Sequence, residues 1–540
     1  MDFSKLNLDD YQDIAQKIVR EALQEKVKSR RDLYQIRKKY AFLSGGNIFH
    51  NLYLVKAYRD LVEKERIKED KNFLSLVRKR GVRTLSGVAP IAVLTKPYPC
   101  PGKCVYCPTE KEVPKSYLSN EPAVMRAILC KYDPYKQVQV RLRGLELNGH
   151  DTSKIELIIM GGTWSYFSKQ YQTWFVKRCF EALNEDGNAK CKMQNAKCKL
   201  EKLQKQNEKA KHRCVAMTLE TRPDFINEEE IRRMRKLGCT KVEIGVQSLD
   251  GEVLKLCKRG HLIGATIQAT KFLKDAGFKV CYHLMPNLPG SNLKKDLEIF
   301  EEIFSNPDFC PDFVKIYPCV VTPYSELEKW LKEGKYKPYT DEQLIDLIIK
   351  IKQVIPEWVR VIRVYRDIPA ESVIAGSKLS NLRQIIHQKM EERGMKCKCV
   401  RCREVKNANC KLQNVKLVKR EYESSGGREI FLSYEDKEED KLISLLRLRF
   451  PSSKKPLFKA LEGAVIIRDL HTYGQQVVVD DRDPKAVQHG GWGRKLVAEA
   501  ERVAKENGFK KIAVISGIGA RNYYRKLGYR KGETYMVKSL

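Results

Sequence analysis

From about residue 84 to 370, short apolar runs alternate with stretches of helical period. The runs fall at 155–160, 215–219, 242–246, 280–284 and 314–321, with helical patterns such as 228–236 and 265–276 between them. This alternation predicts repeated βα units around a parallel sheet, an α/β fold of partial-barrel form. The runs read as continuously apolar, as expected of strands covered on both faces. In such barrels chemistry gathers at the C-terminal strand ends. Here those ends carry Gly161-Gly162-Thr163, Glu220-Thr221-Arg222, Gln247-Ser248 and Pro286-Asn287.

The flanking segments follow other patterns. Residues 1–83 read as helical and hold 20 Lys+Arg against 12 Asp+Glu, with Arg30, Arg31, Arg37, Lys38 and Lys39 on neighbouring turns. That is either a docking arm for a polyanion or a solvated helical face. Residues 185–213 carry a polar repeat, with Cys191 and Cys198, and too little apolar content to pack; a surface insertion is expected, with no role for those cysteines. Residues 371–428 read as a linker. Over 429–540 a second, α+β domain is predicted: strands at 431–434, 442–448 and 464–470, a helix at 494–506, a strand at 511–516, then Tyr523-Tyr524.

Composition sharpens this picture. A chain of 540 residues exceeds one ordinary domain. It has no apolar run long enough to span a membrane and no apolar leader, so a cytoplasmic protein without membrane partners is expected. The net charge of +34 favours a polyanionic partner, because cations that meet phosphates release condensed counterions. The 17 cysteines, odd in number and without an export signal, point to metal or redox chemistry rather than disulfides.

Cys100-Pro-Gly-Lys-Cys104-Val-Tyr-Cys107 is a Cys-x3-Cys-x2-Cys loop. Three thiolates this close can bind three irons of a 4Fe–4S cluster. The fourth iron is then open to the amino and carboxylate groups of S-adenosylmethionine, whose reductive cleavage releases a 5′-deoxyadenosyl radical. A structural zinc would want a fourth ligand nearby, and none lies in the loop. A second trio, Cys397, Cys399 and Cys402, sits in a polar stretch and reads as a structural zinc site between the domains. Cys310, Cys319, His283 and His387 are candidates for its fourth ligand. Gln488-His-Gly-Gly491-Trp-Gly493-Arg-Lys opens a helix and fits the Q-x-x-G-x-G pattern of the acetyltransferase superfamily, where exposed N–H groups can hold a pyrophosphate.

The cysteine loop looks like the radical-SAM signature, and the whole chain apart from the insertion resembles the catalytic subunit of the Elongator complex and the single-chain tRNA uridine carboxymethyl-synthases. The phrases that carry the resemblance include Leu85-Ser-Gly-Val-Ala-Pro, Tyr132-Asp-Pro, Met160-Gly-Gly-Thr, Glu220-Thr-Arg-Pro-Asp, Glu243-Ile-Gly-Val-Gln-Ser, Arg366-Asp-Ile-Pro and Arg521-Asn-Tyr-Tyr-Arg-Lys. It implies a radical-SAM half-barrel followed by a GNAT-type acetyltransferase domain, with residues 1–83 binding tRNA. It places Gly161 and Gly162 against the methionine end of S-adenosylmethionine, and Glu220, Arg222, Glu243 and Gln247 around the same mouth. For acetyl-CoA it implies Asp469, Leu470, His471 and Thr472 along the pantetheine, and Trp492, Gly493, Arg494 and Lys495 at the phosphates. Tyr524 falls at the sulfur, Tyr523 in packing, and Lys154 reaches across from the half-barrel. The 397–402 trio is not common to the whole family, so a supporting role is implied.

The expected activity is formation of 5-carboxymethyluridine at the wobble position of a tRNA anticodon. The adenosyl radical takes hydrogen from the acetyl methyl of acetyl-CoA, the carbon radical adds to uridine C5, and thioester hydrolysis follows. An electron donor for the cluster is a required partner, and Elongator-type accessory subunits are possible ones. Two rival readings remain at this level: a protein lysine acetyltransferase with a structural iron–sulfur domain, and a non-catalytic tRNA-binding scaffold.

Overall fold

The computed structural model describes residues 11–42, 51–65, 67, 69–78, 84, 86–185, 199–405, 414–453, 455–474 and 490–540. The first helices, Gln12–Gln24, Arg30–Tyr40, Asn51–Glu65 and Lys71–Val77, bury Ile18, Val19, Leu33, Ile36, Leu54, Tyr58 and Phe73 against one another. Ser29 and Asp32 close a capping box at the start of the second helix. Of the cations expected to dock a polyanion, Lys39 is tied to Glu21 and Arg37 to Asn51, while Arg31 and Lys38 lie exposed.

Seven strands then form one parallel sheet in chain order: β1 (Ala89–Leu94), β2 (Lys154–Met160), β3 (Arg213–Thr221), β4 (Lys241–Gln247), β5 (Lys279–Leu284), β6 (Phe313–Ile316) and β7 (Arg360–Arg363). Helices cover its outer face, where Ile155, Leu157, Ile159, Val242, Ile244 and Val280 pack on Phe175, Val176, Met234, Leu273 and Ile348. Each such side chain contributes roughly 1.5–3 kcal/mol by burial.

Four sequence expectations need correction here. The strands are not apolar on both faces: Glu156, Lys241, Glu243, His283, Lys315 and Arg360 point into the concave side. Strands β1 and β7 went unread, and β6 stops at Ile316 because Pro318 cannot donate to a ladder. The expected insertion at 185–213 is only partly one. Residues 186–198 lie outside the described residues, but Leu200–Asn207 is a helix with Leu200 and Leu203 in the core, and β3 begins at Arg213. The expected linker over 371–428 contains the helix Leu382–Glu392 and a complete strand of the second sheet.

That second sheet runs β13-β14-β12-β11-β10-β9-β8, with β8 (Val415–Ser424), β9 (Gly427–Asp436), β10 (Lys441–Phe450), β11 (Ala464–Thr472), β12 (Lys511–Val514), β13 (Arg530–Gly532) and β14 (Tyr535–Ser539). The helix Trp492–Glu506 packs Leu496, Val497, Ala500 and Val503 on one face of it.

The other face meets the half-barrel. Ala464, Ile466, Ala513, Ile515, Ile518 and Tyr535 belong to the same apolar core as the half-barrel's outer layer. A buried ion network crosses the boundary. Arg468 grips Asp312 at 2.6 and 2.8 Å and Glu429 at 2.9 Å, and Arg449 joins Asp275 at 2.6 Å to Glu429 at 3.0 Å. Burial alone would raise the Asp312 carboxyl; Arg468, Lys274 and Arg447 instead hold it far below the usual carboxylate range. Gly517 and Gly519 permit the closest approach, since a Cβ on Gly517 would sit 2.0 Å from Val215 O and one on Gly519 2.6 Å from Arg213 Cβ.

Candidate active site

A cavity of about 650 Å³ opens in the concave face of the half-barrel, and Cys100, Cys104 and Cys107 share its wall. The loop that carries them leaves β1 under tight control. Thr95 donates from its N–H to Met160 O and from its hydroxyl to Gly161 O, both at 2.9 Å. Tyr98 stacks on Phe167 at 4.5 Å, and Phe167 on Tyr171 at 4.8 Å. Cys100 Sγ lies 3.6 Å from Thr163 Oγ1. Cys104 is buried beside Cys107, and the contact between the two thiols favours one thiolate, at Cys104, which Arg259 also stabilises.

The strand ends bring most of the other expected residues to this cavity. Gly162, Glu220, Arg222, Glu243 and Gln247 all line it. Glu243 is 1% exposed, accepts from His283 Nε2 at 2.8 Å and ion-pairs with Lys315. Burial opposes its charge, but Lys315, His283 and Lys241 hold the carboxyl well below its ordinary range. Lys315 also reaches Glu220 at 3.2 Å, so two carboxylates share one protonated lysine. Arg222 is fixed on Asp224 by Nε and Nη2, while its buried Nη1 has no hydrogen-bond partner among the described residues. Gln247 adopts a left-handed backbone with φ 72°, and its buried Oε1 also lacks a partner among the described residues. Strain and an orphaned acceptor at a strand end mark a place built for a ligand.

Gly161 is absent from the wall. A Cβ there would lie 2.1 Å from Thr95 Oγ1, and its φ is 121°, so this glycine serves the closure of β2 on the cysteine loop. Lys241, Lys315, Glu156 and Arg259 were missed in the sequence, and His283 was read there only as a candidate zinc ligand. The signal for Lys241 was the every-other-residue polarity of β4, Lys241-Val-Glu243-Ile-Gly245-Val-Gln247.

In the second sheet, β12 pairs with β11 only from Ala464 to Ile467. Beyond that point Asp469, Leu470, His471 and Thr472 remain laddered to β10 alone. The ladder thus opens into a splayed edge, and the helix Trp492–Glu506 begins beside it, with Gly491 in the left-handed region at φ 73°. Gly493 sits against this gap, since its Cβ would be 3.0 Å from Tyr523 Oη and 3.8 Å from Thr472 Oγ1. Gln488 and His489 of the motif lie outside the described residues.

Trp492 differs from expectation. Its ring is buried among Val405, Ile443 and Tyr434, with Lys495 above it at 4.6 Å, so it anchors the helix start by packing. Tyr524 is 6% exposed, and burial together with Tyr523 and Asp469 pushes its phenol up, so it keeps its proton. Tyr523, expected to pack, is 39% exposed and brings its hydroxyl to the gap.

The two regions adjoin. Lys154 opens β2 in register with Arg213, and Arg213 packs on Gly519 in the loop leading to Tyr523 and Tyr524. Burial lowers the Lys154 ammonium. His471, held neutral by burial, bonds through Nε2 to Ser86 O at 2.6 Å, and Ser86 lines the half-barrel cavity.

The second cysteine trio is also assembled. The sulfurs of Cys397, Cys399 and Cys402 lie within 4.8 Å of one another. Lys352 Nζ is 3.5 Å from Cys402 Sγ, and His387 Nε2 is 3.9 Å from it. The other candidate ligands are engaged elsewhere: Cys310 with Phe304 O and Asn306 O, Cys319 in a core with Cys257 and Tyr336, and His283 with Glu243. Among the described residues no helix is long and apolar enough to cross a membrane.

Comparison with known proteins adds matches to family models, to curated relatives and to a solved structure. Residues 94–303 match the Radical SAM superfamily, 311–392 the Radical_SAM C-terminal domain and 413–529 the Acetyltransferase (GNAT) family. The chain is 49% identical over 489 residues to a tRNA uridine(34) acetyltransferase of Methanocaldococcus infernus, covering 88% of this chain and 89% of that one. It is 41% identical over 480 residues to Elongator complex protein 3 of Homo sapiens, covering 86% of each. The solved structure of archaeal Methanocaldococcus infernus Elp3 with an N-terminal deletion superposes with a TM-score of 0.73 at 47% identity, over 84% of this chain and 100% of that one.

Proposed function

The chain belongs to the family of tRNA uridine(34) acetyltransferases and Elongator complex protein 3, and from that membership we propose that it converts the wobble uridine of a tRNA anticodon to 5-carboxymethyluridine, with acetyl-CoA as the carbon donor. One observation carries the reading: three closely spaced thiols share a charged half-barrel cavity that abuts a splayed acetyltransferase-type strand edge.

The donor set fits a 4Fe–4S cluster held at three corners by Cys100, Cys104 and Cys107. The carboxylates and the histidine on the wall are engaged elsewhere: Glu220 and Glu243 with Lys315, His283 with Glu243, Glu156 with Lys241, Glu121 with Arg366 and Asp367 with Arg363. When bound, the cluster and S-adenosylmethionine supply a 5′-deoxyadenosyl radical able to take hydrogen from the acetyl methyl group. Gly162, Glu220, Arg222, Glu243 and Gln247 are the residues assigned to S-adenosylmethionine. Arg222 Nη1 offers that ligand an unpaired donor and Gln247 Oε1 an unpaired acceptor. Gly161 acts behind them, by shaping the loop.

On the CoA side, Asp469, Leu470, His471 and Thr472 offer the pantetheine amides an edge that β12 leaves open. Gly493, Arg494 and Lys495 hold phosphate at the helix start. Tyr524, kept protonated, donates to the CoA thiolate as the thioester is hydrolysed, and Lys154 approaches the same group from the half-barrel. The charge of +34 supports a tRNA partner, and an anticodon loop presents bases that can be splayed into a cavity. An outside one-electron donor completes the partners. Cys397, Cys399 and Cys402 offer three ligands to a structural zinc, and His387, 3.9 Å from Cys402 Sγ, is the candidate for the fourth.

Cys104→Ala tests the reading. It is expected to abolish tRNA modification in an S-adenosylmethionine-dependent assay while leaving tRNA affinity unchanged. Protein acetylation that survives the change and needs no S-adenosylmethionine would favour a protein acetyltransferase instead.

A further inference from the structure

Arg259 is 6% exposed, and every polar edge of its guanidinium is directed. Nε donates to His261 Nε2 at 3.0 Å, Nη2 donates to Gly245 O at 2.6 Å, and Nη1 points at Cys104 Sγ at 3.5 Å. Space is left for it: a Cβ on Gly245 would lie 2.7 Å from Nη2. The turn that bears Arg259 is also tied to the cysteine loop by main chain, since Val105 N–H donates to Cys257 O at 3.2 Å.

Its charge sets it apart from most other deeply buried arginines; Arg235, which ends on Cys239 O and Thr534 O, is the other without a carboxylate partner among the described residues. Arg468, Arg449 and Arg403 each meet carboxylates. Among the described residues no carboxylate lies within ion-pairing distance of Arg259, and the acidic group its Nη1 meets is Cys104 Sγ. A buried cation without a counter-charge is costly, which makes the sulfur its electrostatic partner.

We propose that Arg259 is a positioning residue that sets the reduction potential of the iron–sulfur site by placing a fixed positive charge against the Cys104 ligand. The proposal rests on the reading of Cys100, Cys104 and Cys107 as cluster ligands. A cubane core bound by three thiolates gains one negative charge when an outside donor passes it one electron, and no bond changes. A buried cation beside a ligand sulfur stabilises the more negative, reduced form, so it raises the potential and eases that reduction. His261 and Gly245 hold the guanidinium in place for this effect.

The test uses the full chain, reconstituted anaerobically. Iron and sulfide are counted, and a mediator-buffered dithionite titration follows the electron paramagnetic resonance signal of the reduced cluster. Arg259→Gln is expected to keep its iron and to move the midpoint to lower potential, so that at the wild-type midpoint the reduced-to-oxidised ratio falls about tenfold or more. Arg259→Lys, which keeps the charge but not the planar fork, should fall between the two. Lys258→Gln removes the same charge one residue away, at an exposed pair with Glu326, and should leave the midpoint alone. An unchanged midpoint in iron-replete Arg259→Gln overturns the proposal. If that variant loses iron, Arg259→Lys decides, and loss of iron from it too, with circular dichroism intact, overturns the proposal in favour of a packing role. A wild-type chain that takes up no iron defeats the cluster reading itself.

Discussion

Gly161 and Gly162 are adjacent, both left-handed, and different in function. Gly162 faces the cavity with nothing nearer its absent Cβ than Lys115 O at 3.9 Å, whereas at Gly161 a methyl would meet Thr95 at 2.1 Å. Gly161→Ala should therefore cost at least about 2 kcal/mol from overlap and backbone strain together, and Gly162→Ala clearly less. Thermal unfolding of the two variants checks the order; equal losses would contradict it. The dipeptide was legible as a special turn, but not which glycine faced the cavity, because that depends on how β2 meets the loop after β1. The cysteines were legible because their spacing is local. Lys241 and Lys315 were not, nor was the true place of His283, since cross-strand register brings the three together, and Arg259 arrives from a turn after β4. The alternation of charge along β4 was the clue to Lys241, and reading the strands as apolar on both sides hid it.

At the scale of elements, most of the parallel sheet was legible from its apolar runs, but β1, six mostly apolar residues, and β7 went unread. Strand β7 has four residues, and two of them are arginines. The helix Leu200–Asn207 hid beside a polar repeat because two leucines are enough to seat it. Strand β8 is an edge whose outward side chains are mostly exposed, so it read as linker. Its ten-residue register with β9 comes from the partner strand rather than from its own composition. The second cysteine trio depends on two elements, the helix Leu382–Glu392, which carries His387, and the turn Cys399–Arg403 that follows. His387→Ala should lower zinc retained after dialysis from near one per chain, with the trio left reduced. Elemental analysis showing full zinc in that variant, or none in the wild type, would remove the assignment.

Across the whole molecule, the two sheets are locked by charges that no sequence pattern announced. Asp312, Glu429 and Arg468 lie far apart in sequence and meet only because the second sheet packs on the half-barrel. Cations hold both carboxyls below their ordinary range against the cost of burial. Their contribution is therefore complete above the unfolded carboxylate pKa of about 4 and is lost as pH falls below it. Acid unfolding should begin near that pH. Asp312→Asn, which leaves Arg468 short of a counter-charge, should cost about 3–5 kcal/mol at neutral pH and blunt the acid transition. A variant as stable as wild type would show that the network is dispensable.

The same packing sets the splayed strand edge against the half-barrel, and the proposed chemistry needs both. The most direct measurement is anaerobic incubation of the reconstituted full chain with unmodified tRNA, acetyl-CoA, S-adenosylmethionine and dithionite, followed by mass analysis of the digested nucleosides. The account predicts 5-carboxymethyluridine, with 5′-deoxyadenosine formed only when all substrates are present. Unmodified uridine from protein that carries a full complement of iron and binds acetyl-CoA would contradict it.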